Sequence, residues 1–237
     1  MGTMVTIGKE NMPAYLAMPG GEARVPGVLV IHEAFGLRPE ITAHADRLAE
    51  AGFAALAPSL FFRGGLRCLV ATMHALSQGK GEAFSDISTA RTWLLTQPRV
   101  AGKVGIIGFC MGGGFALATA PKGWFAAAAP NYGNLPRNPA EALKGSCPVV
   151  ASYGGKDRMQ KGAAATLEAV LAELLVPHDV KEYPEATHGF MNSRSGKVGK
   201  VTALMGLRFD QEAAEDAWAR IIPFFREHLM EKDESRV

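Results

Sequence analysis

Short apolar runs alternate along the chain with longer amphipathic stretches, and this alternation constrains the fold more than any other feature. The runs typical of buried parallel strands cover residues 27–31, 54–57, 104–108, 148–153 and 179–183. Between the first two runs, Ile41, Ala45 and Leu48 recur at helical spacing. Strands that alternate with helices predict an α/β protein with a mostly parallel, doubly wound sheet and helices on both faces.

Several helix ends can be predicted from single residues. The helix that contains Ile41 should stop at Gly52, and a second helix through residues 87–94 should end before Pro98. A last amphipathic helix should begin after Asp210, which is a good N-cap residue, and Pro223 should kink it.

The bulk composition excludes several classes of protein. With 237 residues and a net charge of +2, we expect a single domain over residues 1–237, with residues 62–82 as a possible cap or loop, and neither nucleic acid nor a membrane as partner. No stretch approaches the roughly 18 apolar residues of a membrane helix, and the N-terminus lacks the pattern of a signal peptide. Three cysteines without metal-ligand spacing favour a reducing, cytoplasmic location. We expect a monomer or a weak homodimer.

Ligands of open α/β sheets bind beyond the carboxyl ends of the strands. The residues that follow the predicted strands are Glu33, Cys110, Tyr132, Asp157 and His188. These five residues are therefore the first candidates for a functional site.

The segment from Val104 to Gly114 runs from a strand through a glycine-flanked cysteine into a helix of small residues. This is the pattern of a nucleophile elbow, with cysteine in place of serine, and it predicts an α/β-hydrolase fold. Side chains at 108 and 112 should collide with neighbouring backbone in so sharp a turn. The N-terminus of the following helix favours a reactive thiolate at Cys110, and the N–H of Met111 can serve as an oxyanion donor.

Two other interpretations fit this turn less well. A dinucleotide-binding loop requires glycine where Cys110 stands. An isolated free cysteine is more often a small buried apolar residue than a nucleophile, but its position between glycines at a strand–helix junction favours the nucleophile.

An acid and a histidine follow Cys110 in the order that α/β-hydrolases use. Asp157 comes after a predicted strand and a glycine turn, and His188 lies on the loop after the next strand. Taken alone, Asp157 could be a solvated turn residue and His188 a loop residue. In their order after the elbow, they predict that Asp157 orients the imidazole of His188, which exchanges protons with the sulfur.

Glu33 follows the strand of residues 27–31, where a carboxylate is rarely buried without a partner. We expect it in the active-site cleft; an exposed loop acid is the alternative. The N–H of Ala34, in the same turn, could complete the oxyanion hole. Lys197 and Lys200 could steer an anion, although a solvated loop is the commoner role for such residues.

The chain resembles the dienelactone hydrolases, or carboxymethylenebutenolidases, from about Val28 to Leu229. The resemblance rests on HEAFGL at residues 32–37, LAEAGF at 48–53, GFCMGG at 108–113, Asp157, HGF at 188–190 and RFD at 208–210. It implies a triad of Cys110, His188 and Asp157, and a further acid, Glu33, that helps to deprotonate the thiol when substrate binds. It also implies hydrolysis of a small ester or lactone through an acyl-enzyme, without a metal or other cofactor.

Family members that act on dienelactone hold the substrate carboxylate with arginines, one of them shortly after the catalytic histidine. Here Met191 and Asn192 occupy that stretch, and Arg194 is the nearest arginine. Arg63, in the possible cap, is a second candidate for substrate binding. Tyr132 could line the pocket or could be a packed aromatic residue.

Two rival functions remain at this level. An acyltransferase or thioesterase would use the same triad with a different acyl acceptor or donor. A non-catalytic ligand-binding protein could use the same scaffold, but such a protein has no need of a complete triad.

Overall fold

The computed structural model describes residues 1–194, 199, 202 and 206–230. Lys197 and Lys200 lie outside these residues. None of the helices in the described ranges is long and apolar enough to cross a membrane.

Eight strands form one sheet in the order β1-β2-β4-β3-β5-β6-β7-β8. The strands are β1 (Thr3–Ile7), β2 (Met12–Ala17), β3 (Val25–Ile31), β4 (Ala54–Pro58), β5 (Val100–Phe109), β6 (Ala127–Asn131), β7 (Val149–Gly154) and β8 (His178–Tyr183). The pairs β1–β2 and β2–β4 are antiparallel, and the pairs from β4 through β8 are parallel. The mostly parallel sheet that the sequence predicts is confirmed.

Helices cover both faces of the sheet. They are α1 (Pro39–Glu50), α2 (Gly65–Gln78), α3 (Glu82–Leu95), α4 (Met111–Thr119) with a 3-10 turn at Ala120–Lys122, α5 (Pro139–Ala142), α6 (Ala163–Glu173) and α7 (Gln211–Leu229). One apolar core lies under α3, α4 and α6, and the other under α1 and α7. Successive β3 residues point to opposite faces, so Leu29 belongs to the first core and Val30 to the second.

The predicted helix ends agree with the structure. Chain direction changes after α1 at Gly52, which has a φ of +98°, and α3 ends three residues before Pro98. Asp210 caps α7 by accepting a hydrogen bond from the N–H of Ala213 at 3.1 Å, and Pro223 lies inside that helix. Residues 62–82 contain α2, which packs on α3 and α4.

Candidate active site

Cys110 lies between β5 and α4 in a strained backbone conformation, with φ +54° and ψ −114°. The glycines around it are required sterically. A Cβ at Gly108 would lie 1.9 Å from the carbonyl oxygen of Gly112, and a Cβ at Gly112 would lie 2.2 Å from the carbonyl oxygen of Ile31. Any side chain at position 108 or 112 would therefore collide with backbone, as the sequence predicts. The turn holds Cys110 at the carboxyl edge of the sheet.

The two candidate oxyanion donors lie in the segments that follow β5 and β3, which are adjacent parallel strands. Met111 is the first residue of α4, so its N–H precedes the hydrogen-bonded part of the helix. Ala34 lies in the turn that follows β3, which is closed by a 3.0 Å hydrogen bond from the N–H of Gly36 to the carbonyl of Glu33. The strand–turn geometry thus places both backbone segments beside the elbow.

His188 and Asp157 form a buried pair at the ends of neighbouring strands. His188 Nδ1 lies 2.6 Å from Asp157 Oδ2, and Asp157 Oδ1 accepts a hydrogen bond from the N–H of Met159 at 2.9 Å. Burial acts to lower the pKa of His188, but the bond to Asp157 and the neighbouring side chain of Cys110 outweigh it and raise the pKa to about 9. The carboxylate therefore fixes the ring and stabilises its protonated form.

His188 Nε2 is buried and has no partner in hydrogen-bonding geometry within the described chain, although Cys110 is close enough to raise the pKa of the ring. Such loosely aligned contacts are common in unliganded active sites and tighten when substrate binds. The structure therefore brings Cys110, His188 and Asp157 together at one site.

Glu33 is buried, and its carboxylate pairs with the guanidinium of Arg194, which donates through Nη2. Both side chains are 3% exposed. Arg194 Nε lies 3.8 Å from a carboxylate oxygen of Glu40 on α1, and the guanidinium stacks over the ring of Phe35 at 5.4 Å. An arginine after the histidine therefore does enter the site, although it stands two positions beyond the stretch where the resemblance places it.

Tyr132 follows β6 and is fully buried, with an edge-to-face contact between its ring and that of His188 at 5.2 Å. Burial, and next the charge of Glu33, raise the pKa of the phenol well above its ordinary value. Its hydroxyl has no hydrogen-bonding partner in the part of the chain that is described. Tyr132 is thus both a packed aromatic residue and part of the site.

Arg63 pairs with two acids outside this group of residues, and its contact with substrate stays a prediction. Its guanidinium donates to both carboxylate oxygens of Asp86, at 2.7 and 3.0 Å, and to Glu10 at 3.1 Å. Asp86 and Glu10 neutralise the positive charge with which Arg63 would attract an anionic substrate. Arg63 instead joins the loop after β4 to α3 and to the turn between β1 and β2.

Two residues that the sequence patterns did not single out complete the surroundings. The first is His44, on α1, whose Nε2 lies 2.6 Å from the side-chain oxygen of Asn192; His44 and Asn192 are both buried. The second is Glu40, also on α1, which faces Arg194. His44 lies on the buried face of α1, between Ile41 and Leu48, where a histidine is read from sequence as a packed residue. Glu40 carries no distinguishing sequence signal, and only the return of the chain at residues 188–194 brings both to the site.

The remaining buried histidine, His32, has a structural role. Its Nδ1 lies 2.6 Å from the carbonyl of Glu33, and its Nε2 accepts a hydrogen bond from the N–H of Leu60 at 3.0 Å. It therefore ties the ends of β3 and β4 together. In the described ranges no group of three or more His, Cys, Asp or Glu residues could hold a metal ion.

Comparison with known proteins gives one consistent family. The model of the dienelactone hydrolase family matches residues 12–229. Two relatives provisionally named carboxymethylenebutenolidase come from Methylorubrum extorquens (30% identity, covering 92% of this chain and 77% of the relative) and Salmonella typhimurium (28%, 92% and 84%).

Solved structures agree with this result. A provisionally named dienelactone hydrolase from Klebsiella pneumoniae is 27% identical, with a TM-score of 0.75 and coverage of 96% of this chain and 98% of the other. A dienelactone hydrolase-like promiscuous phosphotriesterase from metagenomic libraries, 24% identical, shares the fold with a TM-score of 0.80 and coverage of 97% and 99%. This chain belongs to the dienelactone hydrolase family and is a hydrolase of the ester and lactone type.

Proposed function

We propose that the chain hydrolyses small esters or lactones that carry an anionic group, through an acyl-enzyme formed on Cys110. The observation that carries this proposal is the strained cysteine at the elbow beside the buried His188–Asp157 pair. A nucleophilic side chain next to a base that is itself oriented by an acid is the arrangement of nucleophilic catalysis.

The chemistry follows from the hydrogen bonds. Nδ1 of His188 donates to Asp157, so Nε2 is free to receive the proton of the Cys110 thiol, and the raised pKa of the ring retains it there. The sulfur attacks the carbonyl carbon, the bond to the leaving oxygen breaks, and the imidazolium returns the proton to that oxygen. Water, deprotonated by the same nitrogen, then cleaves the thioester and releases the acid and the thiol. The N–H groups of Met111 and Ala34 would hold the oxyanion.

The anionic group of the substrate is inferred from Arg194. Its Nη1 and Nε are buried and have no hydrogen-bonding partner among the described residues, and buried polar atoms without a partner are rare unless a ligand satisfies them. A carboxylate matches the fork of a guanidinium. It would compete with Glu33 for Arg194 and release Glu33 toward the thiol, in keeping with the role that the resemblance implies for this acid.

The test combines labelling with a substrate panel. Iodoacetamide at neutral pH should modify Cys110 much faster than Cys68 or Cys147, and Cys110→Ser should abolish turnover of aryl esters, thioesters and lactones. Equal labelling of the three cysteines, or full activity of Cys110→Ser, would contradict the proposal. Added alcohol or amine acceptors test for acyl transfer, because an acyltransferase would form the new ester or amide in preference to the free acid.

Arg194→Met tests the substrate class, with Arg63→Met as the control arginine. One charge-assisted hydrogen bond contributes about 1.5–3 kcal/mol, which corresponds to roughly 10- to 150-fold in affinity. We expect KM for a carboxylated aryl ester to rise by that factor in Arg194→Met and KM for its neutral analogue to stay within about threefold. Equal effects on both esters would refute the anionic substrate. The cytoplasmic location and the monomeric or weakly dimeric state stay predictions from the sequence.

A further inference from the structure

His44, on α1, contacts two separate parts of the active site at once. Its ring stacks on that of Phe109, the residue directly before Cys110, with centroids 4.3 Å apart and planes inclined by 18°. Its Nε2 lies 2.6 Å from the side-chain oxygen of Asn192. The ring of Trp218 on α7 also contacts it, with centroids 5.4 Å apart. One side chain thus joins the strand that carries the nucleophile to the loop that carries the base.

Asn192 lies on the turn between His188 and Arg194. Its backbone N–H donates to the carbonyl of Gly189 at 3.0 Å, so this turn is compact, and the side chain of Asn192 is buried. A displacement of Asn192 would therefore also move His188, the proposed base, and Arg194, the proposed anion anchor.

The hydrogen bond has a defined direction. An amide oxygen only accepts, so Nε2 of His44 carries the hydrogen and donates it. Burial lowers the pKa of His44 to about 4, with the hydrogen bond to Asn192 acting in the opposite direction. The ring is therefore neutral at neutral pH and makes this bond as a neutral donor.

Stability alone does not account for this pair. Nδ2 of Asn192 is buried and has no partner among the residues that the structure describes, and an unsatisfied buried amide destabilises a folded chain. A phenylalanine at position 44 and an apolar residue at 192 would keep the stacking without that cost. Polar groups that are buried at a cost are more often found at functional sites than elsewhere.

We propose that His44 and Asn192 are positioning residues, whose hydrogen bond holds the turn of residues 188–194 in register with Cys110. The bond sets the separation between the thiol and the imidazole and keeps Arg194 beside Glu33. This inference rests on the proposed function, because the aligned groups are the nucleophile, the base and the anion anchor of that reaction.

Two substitutions of His44 separate the hydrogen bond from the stacking. His44→Phe keeps an aromatic ring on Phe109 and removes the donor, whereas His44→Gln removes the ring and keeps an N–H donor for Asn192. His228→Phe is the matched control, because His228 also packs on a phenylalanine, Phe224, with centroids 4.4 Å apart, but on α7 and near its end.

We expect kcat for a neutral aryl ester to fall about tenfold in His44→Phe, the equivalent of one hydrogen bond, and to stay within about threefold in His44→Gln and His228→Phe. The pH at which alkylation of Cys110 reaches half its maximal rate should shift in His44→Phe and not in His44→Gln. Asn192→Leu should reproduce His44→Phe, and the double variant should be no slower than either single one, because both remove the same bond.

The inference is overturned if His44→Phe, which keeps the aromatic ring, is active and His44→Gln, which keeps the N–H donor, is not. It is also overturned if the variants lose thermal stability while kcat and the pH of half-maximal alkylation stay unchanged, or if the effects at 44 and 192 add. Acylation of Cys110 in the wild-type protein tests the proposed function by itself. If the wild type fails to acylate Cys110, the proposed function is wrong, whatever the variants at 44 and 192 show.

Discussion

Acid should destabilise this protein through two buried histidines, His32 and His44. Burial lowers the pKa of each from 6.5 to about 4, and hydrogen bonds to the backbone at Glu33 for the first, and to Asn192 for the second, only partly offset it. Neither ring can be protonated in the folded chain until the pH approaches 4, whereas both are protonated below pH 6.5 in the unfolded chain.

This difference in pKa between the folded and unfolded chains sets the direction and size of the change in stability with pH. The unfolded state binds the extra protons first, so the stability that these groups contribute is complete above pH 6.5 and is lost as the pH falls to about 4. Each pKa unit corresponds to about 1.4 kcal/mol, so each histidine accounts for about 3 kcal/mol and the two together for about 6 kcal/mol. This approaches the whole stability of a typical domain. The raised pKa of His188 acts in the other direction, because its contribution is complete below pH 6.5 and is lost as the pH rises to about 9.

Urea unfolding followed by tryptophan fluorescence between pH 7 and pH 5 measures this effect. In His44→Gln, which cannot titrate at this position, the free energy of unfolding should fall less steeply than in the wild type, by about 0.9 kcal/mol per pH unit on average and by at most about 1.4 kcal/mol per pH unit below pH 6.5. The control is His74→Gln, because His74 is exposed, and its slope should equal that of the wild type. Equal slopes for His44→Gln and the wild type over this range would show that His44 does not titrate differently in the folded and unfolded chains.

Three further predictions concern stability. Arg194→Met should lower the free energy of unfolding by about 3–5 kcal/mol, because Glu33 is left buried without its partner, and a second change, Glu33→Gln, should restore part of the loss in chemical denaturation. Gly108→Ala should cost more than about 4 kcal/mol or prevent folding, since its Cβ would overlap a carbonyl oxygen, whereas Gly20→Ala, with nothing within 4 Å, should be neutral. Cys110→Gly should raise stability by about 1 kcal/mol by relieving the positive φ; an unchanged melting temperature would show that the turn stores no strain.

Much of the fold could be predicted because it depends on local patterns. The five strands of residues 27–31, 54–57, 104–108, 148–153 and 179–183 all lie in the sheet, with ends that differ from the prediction by a few residues. The antiparallel pair of β1 and β2 was harder to predict from sequence, since Met12–Ala17 contains a proline, which is exposed, and two further positions that are only half-buried. A proline is typical of strands near the edge of a sheet.

The elbow, and the order of Asp157 and His188 after it, are properties of the sequence. Glycines at 108 and 112 are needed wherever a strand turns so sharply into a helix, and the carboxyl ends of parallel strands meet at one edge whatever the loops do. The sequence by itself therefore determined the fold class, the family resemblance and the three residues of the proposed triad.

Only the tertiary structure decided which charges meet at that edge. Arg63 and Arg194 are both arginines on loops after strands, yet Asp86 and Glu10 neutralise the first, while the second pairs with Glu33 in the site. The same holds for the bond between His44 and Asn192, which are 148 positions apart. Long side chains on loops reach several partners at similar distances from their backbone, so their contacts depend on how the chain packs in three dimensions and not on local spacing.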